Sequence, residues 1–285
     1  MPEESLNGRG VFLPSHHLLS DGEIELMVRV FTRLGVHKIR LTGGEPLLRP
    51  GFVELVSRIS AIEGITDLAL TTNAVLLPRY AVALKEAGLG RITVSLDSLD
   101  EKIFRQMAGG RGSVTEVLEG IAAAEEAGFD KLKINTVVQR DINDHTVLDL
   151  VEHFRKGGHT VRLIEFMDVG NVNHWDRQLV VPSAELLKVI HDRWSLRPVE
   201  KQLLGETARR YAFNDGHGEI GFISSITEPF CGDCSRARVT ADGTFYSCLF
   251  SARGTKLRDR IRDGMNAEEL TGVIRGLWEK RADRY

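Results

Sequence analysis

The three cysteines of this 285-residue chain, Cys231, Cys234 and Cys248, have a spacing that could serve chemistry. Cys231 and Cys234 form a C-x-x-C pair, which at a turn lets two thiolates reach one metal. A hairpin after them would return Cys248 to the same end. Four thiolates would close a zinc site or a cluster, whereas three leave one iron of a four-iron cluster open to another ligand. The spacing therefore indicates an iron–sulfur cluster in which one iron has no cysteine ligand.

Two other interpretations of these cysteines stay open on the residues alone. A structural zinc site would need a histidine as its fourth ligand, and neither His174 nor His217 has convincing spacing. A redox C-x-x-C pair is also conceivable, but such pairs are typical of a helix start near a βαβ unit.

Arg236 and Arg238 follow the second cysteine closely and share one face of a predicted strand. Considered alone, they would be explained as a solvated charged face. Beside an open cluster site, and with Arg40 and Lys133 on earlier strands, they instead suggest an anionic substrate such as a nucleoside polyphosphate.

The segment Thr42-Gly43-Gly44-Glu45-Pro46 directly follows a predicted strand and precedes a helix. Parallel α/β proteins build their sites at this end of the strands. Two glycines let the backbone approach a ligand, and exposed amides and carbonyls can hold an amino-acid-like group. A tight turn would explain the same residues, and a Gly-Gly pair alone favours that simpler explanation.

The elements that must position these segments alternate regularly over the first two-thirds of the chain. Alternating strands and helices predict a parallel sheet with right-handed crossovers, either open or closed into a barrel. The predicted strands are 38–42, 67–72, 91–97, 131–138 and 160–167. The predicted helices are 21–34, 52–62, 79–87, 114–127, 144–156 and 184–194.

The alternation stops near residue 196, so we predict a partial (βα) barrel over 1–196 and a small cysteine-containing region over 197–285. In the second region, short strands are predicted at 210–213, 218–224, 236–240 and 244–248. The last two are expected to form a hairpin through Ala241-Asp242-Gly243. Amphipathic helices are predicted at 252–261 and 267–280.

Four of the five barrel strands alternate apolar with polar residues, whereas strands covered by helices on both faces usually read as apolar runs. The polar face would contain Arg40 and Lys133, and a buried unpaired cation is costly. A closed or nearly closed barrel with a wet, ligand-filled lumen satisfies this pattern. An antiparallel edge with one solvated face is the alternative, but the intervening helices weigh against it. The fifth strand is less regular, since Arg162 shares its parity with Ile164 and Phe166.

Composition narrows the class of protein further. The 37 basic and 40 acidic residues give a net charge of −3, which argues against a general nucleic-acid-binding surface. No apolar run is long enough to span a membrane, and residues 1–20 lack the apolar core of a signal peptide. Three cysteines are too few for a disulfide-built secreted protein. We therefore expect a cytoplasmic globular protein.

Six segments, in order over nearly the whole chain, form a highly specific combination. They are KIRLTGGEPLLR at 38–49, LTTN at 70–73, VSLDSL at 94–99, KIN at 133–135, IEFMDVGN at 164–171 and the cysteine segment 231–248. In these segments the chain resembles the GTP 3′,8-cyclases, radical S-adenosylmethionine lyases of molybdenum cofactor biosynthesis. The resemblance implies an incomplete parallel (βα)6 TIM-like barrel, here without its first strand, and a small C-terminal Fe–S region.

The resemblance also implies roles for the matching residues. Contacts to S-adenosylmethionine are expected from Gly43, Gly44, Glu45, Ser95 and Met167. Contacts to GTP are expected from Arg40, Thr71, Lys133, Arg162, Arg236, Ala237 and Arg238. Cys231, Cys234 and Cys248 would hold a [4Fe–4S] cluster whose open iron receives the guanine base, with its fourth ligand unassigned. In such enzymes a 5′-deoxyadenosyl radical takes the ribose 3′-hydrogen of GTP and starts ring closure onto guanine C8, giving the cyclic pyranopterin precursor. The cofactors supply this chemistry, and no catalytic side chain is assigned.

The family pattern includes a C-x-x-x-C-x-x-C loop for a radical-generating second [4Fe–4S] cluster and a C-terminal Gly-Gly, and neither occurs in these 285 residues. We therefore expect a chain truncated at both ends that cannot by itself cleave S-adenosylmethionine reductively. The alternative function is a non-catalytic GTP- and Fe–S-binding remnant, and a radical enzyme for another substrate class is a third. Expected partners are an electron donor, the next enzyme of the pathway and a second copy of the chain, with no nucleic acid or membrane.

Overall fold

A computed structural model of the chain describes residues 13–168, 175–201, 205–251 and 253–281. The strands are β1 Lys38–Leu41, β2 Asp67–Thr72, β3 Arg91–Ser95, β4 Lys133–Val138, β5 Thr160–Glu165, β6 Leu196–Val199, β7 Arg209–Phe213, β8 Glu219–Ile223, β9 Arg238–Val239, β10 Thr244–Tyr246 and β11 Thr255–Lys256. The helices are α1 Asp21–Arg33, α2 Phe52–Ser60, α3 Leu77–Glu86, α4 Glu101–Met107, α5 Val114–Glu126, α6 Val147–Arg155, α7 Ser183–Arg193, α8 Leu257–Arg262 and α9 Ala267–Glu279.

The main sheet has eight strands in the order β1-β2-β3-β4-β5-β8-β7-β6. Strands β1 to β5 and β8 run parallel, and β7 and β6 continue the sheet in antiparallel pairing. The predicted alternation of parallel strands and helices is confirmed. Because β8 pairs with β5, the sheet continues past residue 196, and the predicted domain division there stays a prediction.

Helices pack on one face of this sheet because both present apolar residues at the matching period. In α2, Phe52, Leu55, Val56 and Ile59 are all buried, which is the spacing of one helix face. They share a single core with alternate residues of the central strands, such as Leu70, Ile92 and Ile134. Burying each such side chain contributes about 1.5–3 kcal/mol.

Two elements of the main sheet region were not predicted from the sequence. Helix α4 begins after Asp100, whose side chain accepts a hydrogen bond from the Ile103 amide. The third strand accordingly ends at Ser95 rather than at residue 97. Strand β6 contains Pro198, which is compatible with a strand here because β6 is at the edge of the sheet.

The C-terminal part forms a second, three-stranded sheet in the order β11-β10-β9. The predicted hairpin between β9 and β10 is confirmed, although β9 is only two residues long. The predicted helix at 252–261 begins later, at Leu257, because Thr255 and Lys256 pair with β10 instead. No helix among the described residues has the length and apolarity needed to cross a membrane.

Helix α1 joins this C-terminal sheet to the main one. Its residues Met27 and Val30 share a second apolar cluster with Phe245, Leu270 and Ile274. Arginines of α8 add polar contacts. Arg262 donates to the carbonyls of His16 and Leu18 and pairs with Glu23, and Arg258 donates to the His17 carbonyl. The chain segment before α1 is thereby fixed to the C-terminal helices.

Candidate functional site

One face of the main sheet, which we call the polar face, contains Arg40, Thr71, Thr93, Lys133 and Arg162. Successive side chains of a strand point to opposite faces. The residues beside these polar ones, such as Leu70, Ile134 and Val161, lie in the helix-covered core. The irregular fifth strand follows the same rule, since Val161 and Leu163 are both buried in that core. Arg162 therefore lies on the polar face with the other cations.

Arg40 lies across two neighbouring strands. Its Nη1 donates to Thr71 Oγ1 at 2.8 Å and to Thr93 Oγ1 at 3.0 Å. The two threonines are direct partners in the β2–β3 register. Burial and the nearby Arg91 lower the pKa of Arg40. Thr93 was not predicted as a site residue. The alternation of the two adjacent strands places it on the same face as Thr71, and this could have indicated it.

Lys133 and Arg162 complete a crowded group of cations. Arg162 Nε donates to Asn135 Oδ1 at 2.9 Å. Burial, and then Arg40 and Arg91, lower the pKa of Arg162 to about 10. Burial, and then Arg162 and the other cations, lower the pKa of Lys133 to about 8. Within the described residues no carboxylate forms an ion pair with Arg40, Lys133 or Arg162, so an anionic ligand would relieve their mutual repulsion.

Acidic charge on this face is concentrated at the amino ends of the strands. Asp67 binds Arg91 Nη2 at 2.6 Å and Lys38 Nζ at 3.0 Å. Lys38 lies two residues before Arg40 on β1, and Arg91 lies two residues before Thr93 on β3. Both side chains therefore lie on the polar face. Neither residue was predicted as a site residue, because alternation within one strand does not show which lysines and arginines the sheet brings together.

The Gly-Gly loop is held in place by the carboxylate of Glu45. This carboxylate accepts hydrogen bonds from the Leu47 amide, the Thr72 hydroxyl and the Asn73 amide, at 2.8–3.0 Å. Gly43 and Gly44 are exposed, neither has a positive φ, and an added Cβ would meet nothing within 4 Å. The turn itself does not require glycine at these positions, which favours the ligand-binding interpretation over the tight-turn one.

Ser95 and Met167 lie at the same edge of the sheet as this loop. Ser95 ends β3 and is exposed, and Met167 is half-buried two residues after β5. The carboxyl ends of parallel strands share one edge. Asp97, which was not predicted as a site residue, is at this edge too and accepts a hydrogen bond from the Val137 amide at 2.8 Å. Burial raises the pKa of Asp97 to about 6.

The three cysteines are free thiols around the β9–β10 hairpin. Cys231 begins a 3-10 turn, Cys231–Asp233, and Cys234 follows it. Because Arg238 pairs with Tyr246 in antiparallel register, the chain before β9 and the chain after β10 meet at one end. Cys234 and Cys248 are therefore brought to the same end, as predicted.

Arginines surround these thiols. Arg236 Nη2 donates to Cys234 Sγ at 3.3 Å, and its guanidinium lies 5.0 Å from the centre of the Phe230 ring. Burial by itself raises the pKa of Cys234. Hydrogen bonds from the Arg236 backbone and from the Arg281 and Arg236 side chains outweigh burial and lower this pKa to about 7. Burial and Arg236 lower the pKa of Arg238, whereas Cys234 and Cys248 raise it. Exposed Ala237 separates the two arginines.

This donor set fits an anionic iron–sulfur cluster in its chemistry. Three thiols are present, one favours its thiolate, and the buried Arg236 Nε has no hydrogen-bond partner in the described part of the chain. The thiols have not converged: among described residues, no three His, Cys, Asp or Glu side chains form a metal-binding group. His217 lies in the turn before β8, at the opposite end of that strand from the cysteine segment, and His174 lies outside the described residues. The structure therefore offers no support for a zinc site through His217.

The polar face and the cysteine hairpin share no hydrogen bond or ion pair within the residues described. The structure brings Arg40, Thr71, Lys133 and Arg162 together, and separately Arg236 and Arg238 with the cysteines. The predicted GTP residues thus form two groups.

Comparison with known proteins identifies the family. Residues 8–154 match the radical SAM superfamily, and residues 159–285 match the family described as Molybdenum Cofactor Synthesis C. A GTP 3′,8-cyclase of Xanthomonas campestris pv. campestris is 56% identical over 273 residues, which is 96% of this chain and 80% of the relative. The chain belongs to the GTP 3′,8-cyclase family. A GTP 3′,8-cyclase of Acidothermus cellulolyticus is 44% identical over 289 residues, covering 100% of this chain and 80% of that protein.

Solved structures support the radical SAM fold. Streptococcus suis SuiB matches with a TM-score of 0.62 and 16% identity, over 90% of this chain and 62% of that one. Native anSMEcpe with bound AdoMet matches with a TM-score of 0.60 and 17% identity, over 88% of this chain and 71% of that one. The predicted radical SAM fold, a TIM-like arrangement of parallel strands, is thereby confirmed.

Proposed function

We propose that this protein is a GTP 3′,8-cyclase of the lyase type, which converts GTP into the cyclic pyranopterin precursor of the molybdenum cofactor. Membership of the family supports this proposal, and one structural observation carries it to the residues. Arg40, Lys133 and Arg162 share one face of a radical SAM sheet without a carboxylate partner among the described residues. Such a group is suited to a polyphosphate.

The triphosphate of GTP binds to this cation group in the proposal. Arg40 donates two hydrogen bonds to neutral side chains and Arg162 donates one. These bonds fix each guanidinium and leave its other N–H groups for phosphate oxygens. The hydroxyl oxygens of Thr71 and Thr93 accept the hydrogen bonds from Arg40 and fix its position on the polar face. Lys133 provides a charge whose pKa of about 8 would rise when a phosphate binds beside it.

The guanine end of the substrate extends to the cysteine hairpin. Cys231, Cys234 and Cys248 would hold one [4Fe–4S] cluster, which leaves an iron site for the base. Arg236 and Arg238 place two positive charges beside the thiolates, where they balance the negative charge of the cluster and contact the substrate. Ala237 between them leaves the backbone accessible.

S-adenosylmethionine binds at the carboxyl edge of the sheet in this proposal. Gly43 and Gly44 expose their backbone groups to its amino-acid portion, and Glu45 holds the loop by its three hydrogen bonds. Ser95 and Met167 contact it from the ends of β3 and β5. When bound and reduced, S-adenosylmethionine and its cluster supply the radical chemistry. The protein orients GTP and excludes water.

The partners that follow from this function are an external electron donor, the next enzyme of the pathway and a second copy of the chain. The alternative function is non-catalytic binding of GTP and of one cluster at Cys231, Cys234 and Cys248.

Calorimetry on the anaerobically reconstituted 285-residue chain tests the substrate. GTP is expected to bind at least about tenfold more tightly than ATP, because only the correct base satisfies the hairpin groups. Inorganic tripolyphosphate, which lacks the base, should bind more weakly than GTP. Equal affinity for GTP and ATP would contradict the assignment.

Iron analysis and product analysis separate the two candidate functions. About four irons per chain are expected for one cluster and about eight for two. With about four irons, the chain should bind GTP without releasing 5′-deoxyadenosine after reduction in the presence of S-adenosylmethionine. Formation of 5′-deoxyadenosine by this polypeptide would exclude the non-catalytic alternative.

A further inference from the structure

Glu165, the last residue of β5, has a buried carboxylate with only 1% of its surface exposed. Its Oε1 accepts hydrogen bonds from the Ser183 amide at 2.8 Å, the Ser183 hydroxyl at 3.0 Å and the Thr227 hydroxyl at 2.6 Å. Its Oε2 accepts from the amides of Ile226 and Thr227, both at 2.9 Å. Five donors from two distant segments thus converge on one side chain.

These donors keep the buried carboxylate ionised without a cationic partner among the described residues. Burial raises the pKa of Glu165, but the hydrogen bonds from Thr227, Ser183 and Ile226 outweigh it and hold the pKa below its usual range. Hydrogen bonds to a charged group are about twice as strong as neutral ones. Glu165 therefore ties β5 firmly both to the start of α7 and to the loop after β8.

The loop after β8, residues 224–230, leads directly into the cysteine segment. Thr227 is four positions before Cys231. Further along, the Phe230 ring supports the Arg236 guanidinium, which donates to Cys234 Sγ at 3.3 Å. The hydrogen bonds of Glu165, three residues of chain after Thr227 and the contacts of Phe230 and Arg236 thus connect the end of β5 to the thiols.

The same strand contributes to the polar face. Arg162 is three residues before Glu165 and points to the opposite side of the sheet. One short, rigid strand thus presents a phosphate-binding cation on one face and an anchor for the cysteine loop on the other.

We propose that Glu165 is a positioning residue that sets the distance between the cysteine hairpin and the cations of the polar face, so that one GTP molecule reaches both. The inference rests on the proposed function, because it assumes a substrate held at two ends. It predicts that losing Glu165 uncouples the two groups and leaves each of them intact.

The test compares Glu165→Gln with Glu228→Gln in the reconstituted full chain. Glu228 lies in the same loop, but its ion pair with Arg209 is exposed, with 49% and 59% of the two side chains accessible. Glutamine keeps the shape of the side chain at position 165 but turns an NH2 group toward N–H donors. Affinities for GTP and for inorganic tripolyphosphate, iron content and the spectrum of the reduced cluster with and without GTP are measured.

For Glu165→Gln, we expect GTP affinity to fall at least about tenfold, as for loss of a charged hydrogen-bond acceptor. Tripolyphosphate affinity and iron content should stay within about twofold of wild type, and GTP should no longer change the cluster spectrum. Glu228→Gln should behave as wild type, since an exposed pair contributes little.

Unchanged GTP affinity, or an equal loss of tripolyphosphate and GTP binding in a folded variant, would overturn the inference. If Glu165→Gln does not fold, Thr227→Val gives the answer, because Thr227 is exposed and the change removes only one loop bond. It should weaken GTP binding selectively, and no effect on GTP would overturn the inference. If wild type binds GTP no more tightly than tripolyphosphate, the proposed function fails and the inference fails with it.

Discussion

The polar face and the cysteine hairpin both contain cations, yet they are built differently. Arg40, Lys133 and Arg162 stand on strands of a large sheet with an apolar core beneath them. Arg238 stands on a strand of two residues, and Arg236 lies just before it. The first group is ordered by the fold alone. The second group surrounds thiols that do not form a metal-binding group among the described residues, and in the proposed function a bound cluster completes it.

The two groups also differ in how their charge is balanced. On the polar face, Asp67 neutralises the cations at the amino ends of the strands only. At the hairpin, the counter-charges are Cys234 and Cys248, which stabilise the charged form of Arg238. The cations at the centre of the polar face therefore have no carboxylate partner among the described residues, whereas the hairpin cations lie beside thiols.

The replacement Cys248→Ser should break the hairpin group and spare the polar face. Iron should fall from about four per chain to below about one, because three ligands are needed to keep the cluster. The affinity for tripolyphosphate should be unchanged, since the cations proposed to bind it lie on the main sheet. Ser235→Ala, an exposed change in the same segment, is the control. Full iron content in Cys248→Ser would show that the cluster is held elsewhere.

The replacement Arg162→Met should weaken GTP and tripolyphosphate equally, by about 10- to 100-fold, because a charge-assisted hydrogen bond to phosphate is lost. Iron content should not change. Arg29→Met is a matched control on α1, where Arg29 pairs with Glu25 at the surface, and it should change affinity less than about twofold. A loss confined to GTP would mean that Arg162 serves the base and not the phosphates.

Raising the pH should weaken GTP binding through Lys133. In the protein without ligand, Lys133 has a pKa of about 8, and a phosphate bound beside it raises this pKa. Binding thus has its full strength below pH 8 and declines above it, by at most about tenfold per pH unit, as Lys133 loses its proton. Calorimetry on wild type and Lys133→Arg at pH 7 and pH 9 isolates this effect. Parallel pH profiles for the two proteins would show that Lys133 does not contact the anion.

The replacement Glu45→Gln should weaken S-adenosylmethionine binding by about three- to tenfold, because an amide cannot accept from three donors as a carboxylate does. GTP affinity should stay at the wild-type value, since Glu45 lies at the sheet edge and not on the polar face. Glu54→Gln, an exposed change on α2, is the control. Equal losses for both ligands would indicate that the loop supports the whole face.

The alternating strands could be predicted from the sequence because parity and apolar spacing are local properties. The same parity placed Arg40 and Lys133 together, and the cysteine spacing with the Asp-Gly turn predicted the hairpin. Strand β8 shows the limit. Its five residues read as a strand, but nothing in them specifies parallel pairing with β5. That pairing depends on the arrangement of the whole sheet.

The role of Glu165 could not be predicted for a similar reason. It occurs in a motif that indicated the family, but its donors at Ser183 and Thr227 are 18 and 62 positions away. The ion pairs of Asp67 likewise depend on strands that meet only in the folded sheet. Residue type and spacing identify which groups are chemically able to act, whereas tertiary pairing decides which of them meet.

The contacts between α1 and the C-terminal helices set an order of events during protein synthesis. Arg258 and the His17 carbonyl are 241 positions apart. At about 5 to 20 residues per second, the ribosome needs on the order of 10 to 50 seconds to make the chain between them. During that time the side of α1 that finally covers Phe245 and Leu270 has no partner. The nascent chain thus exposes an apolar face of α1 until β10 and α9 have been made, so α1 can complete its packing only after the synthesis of those two elements.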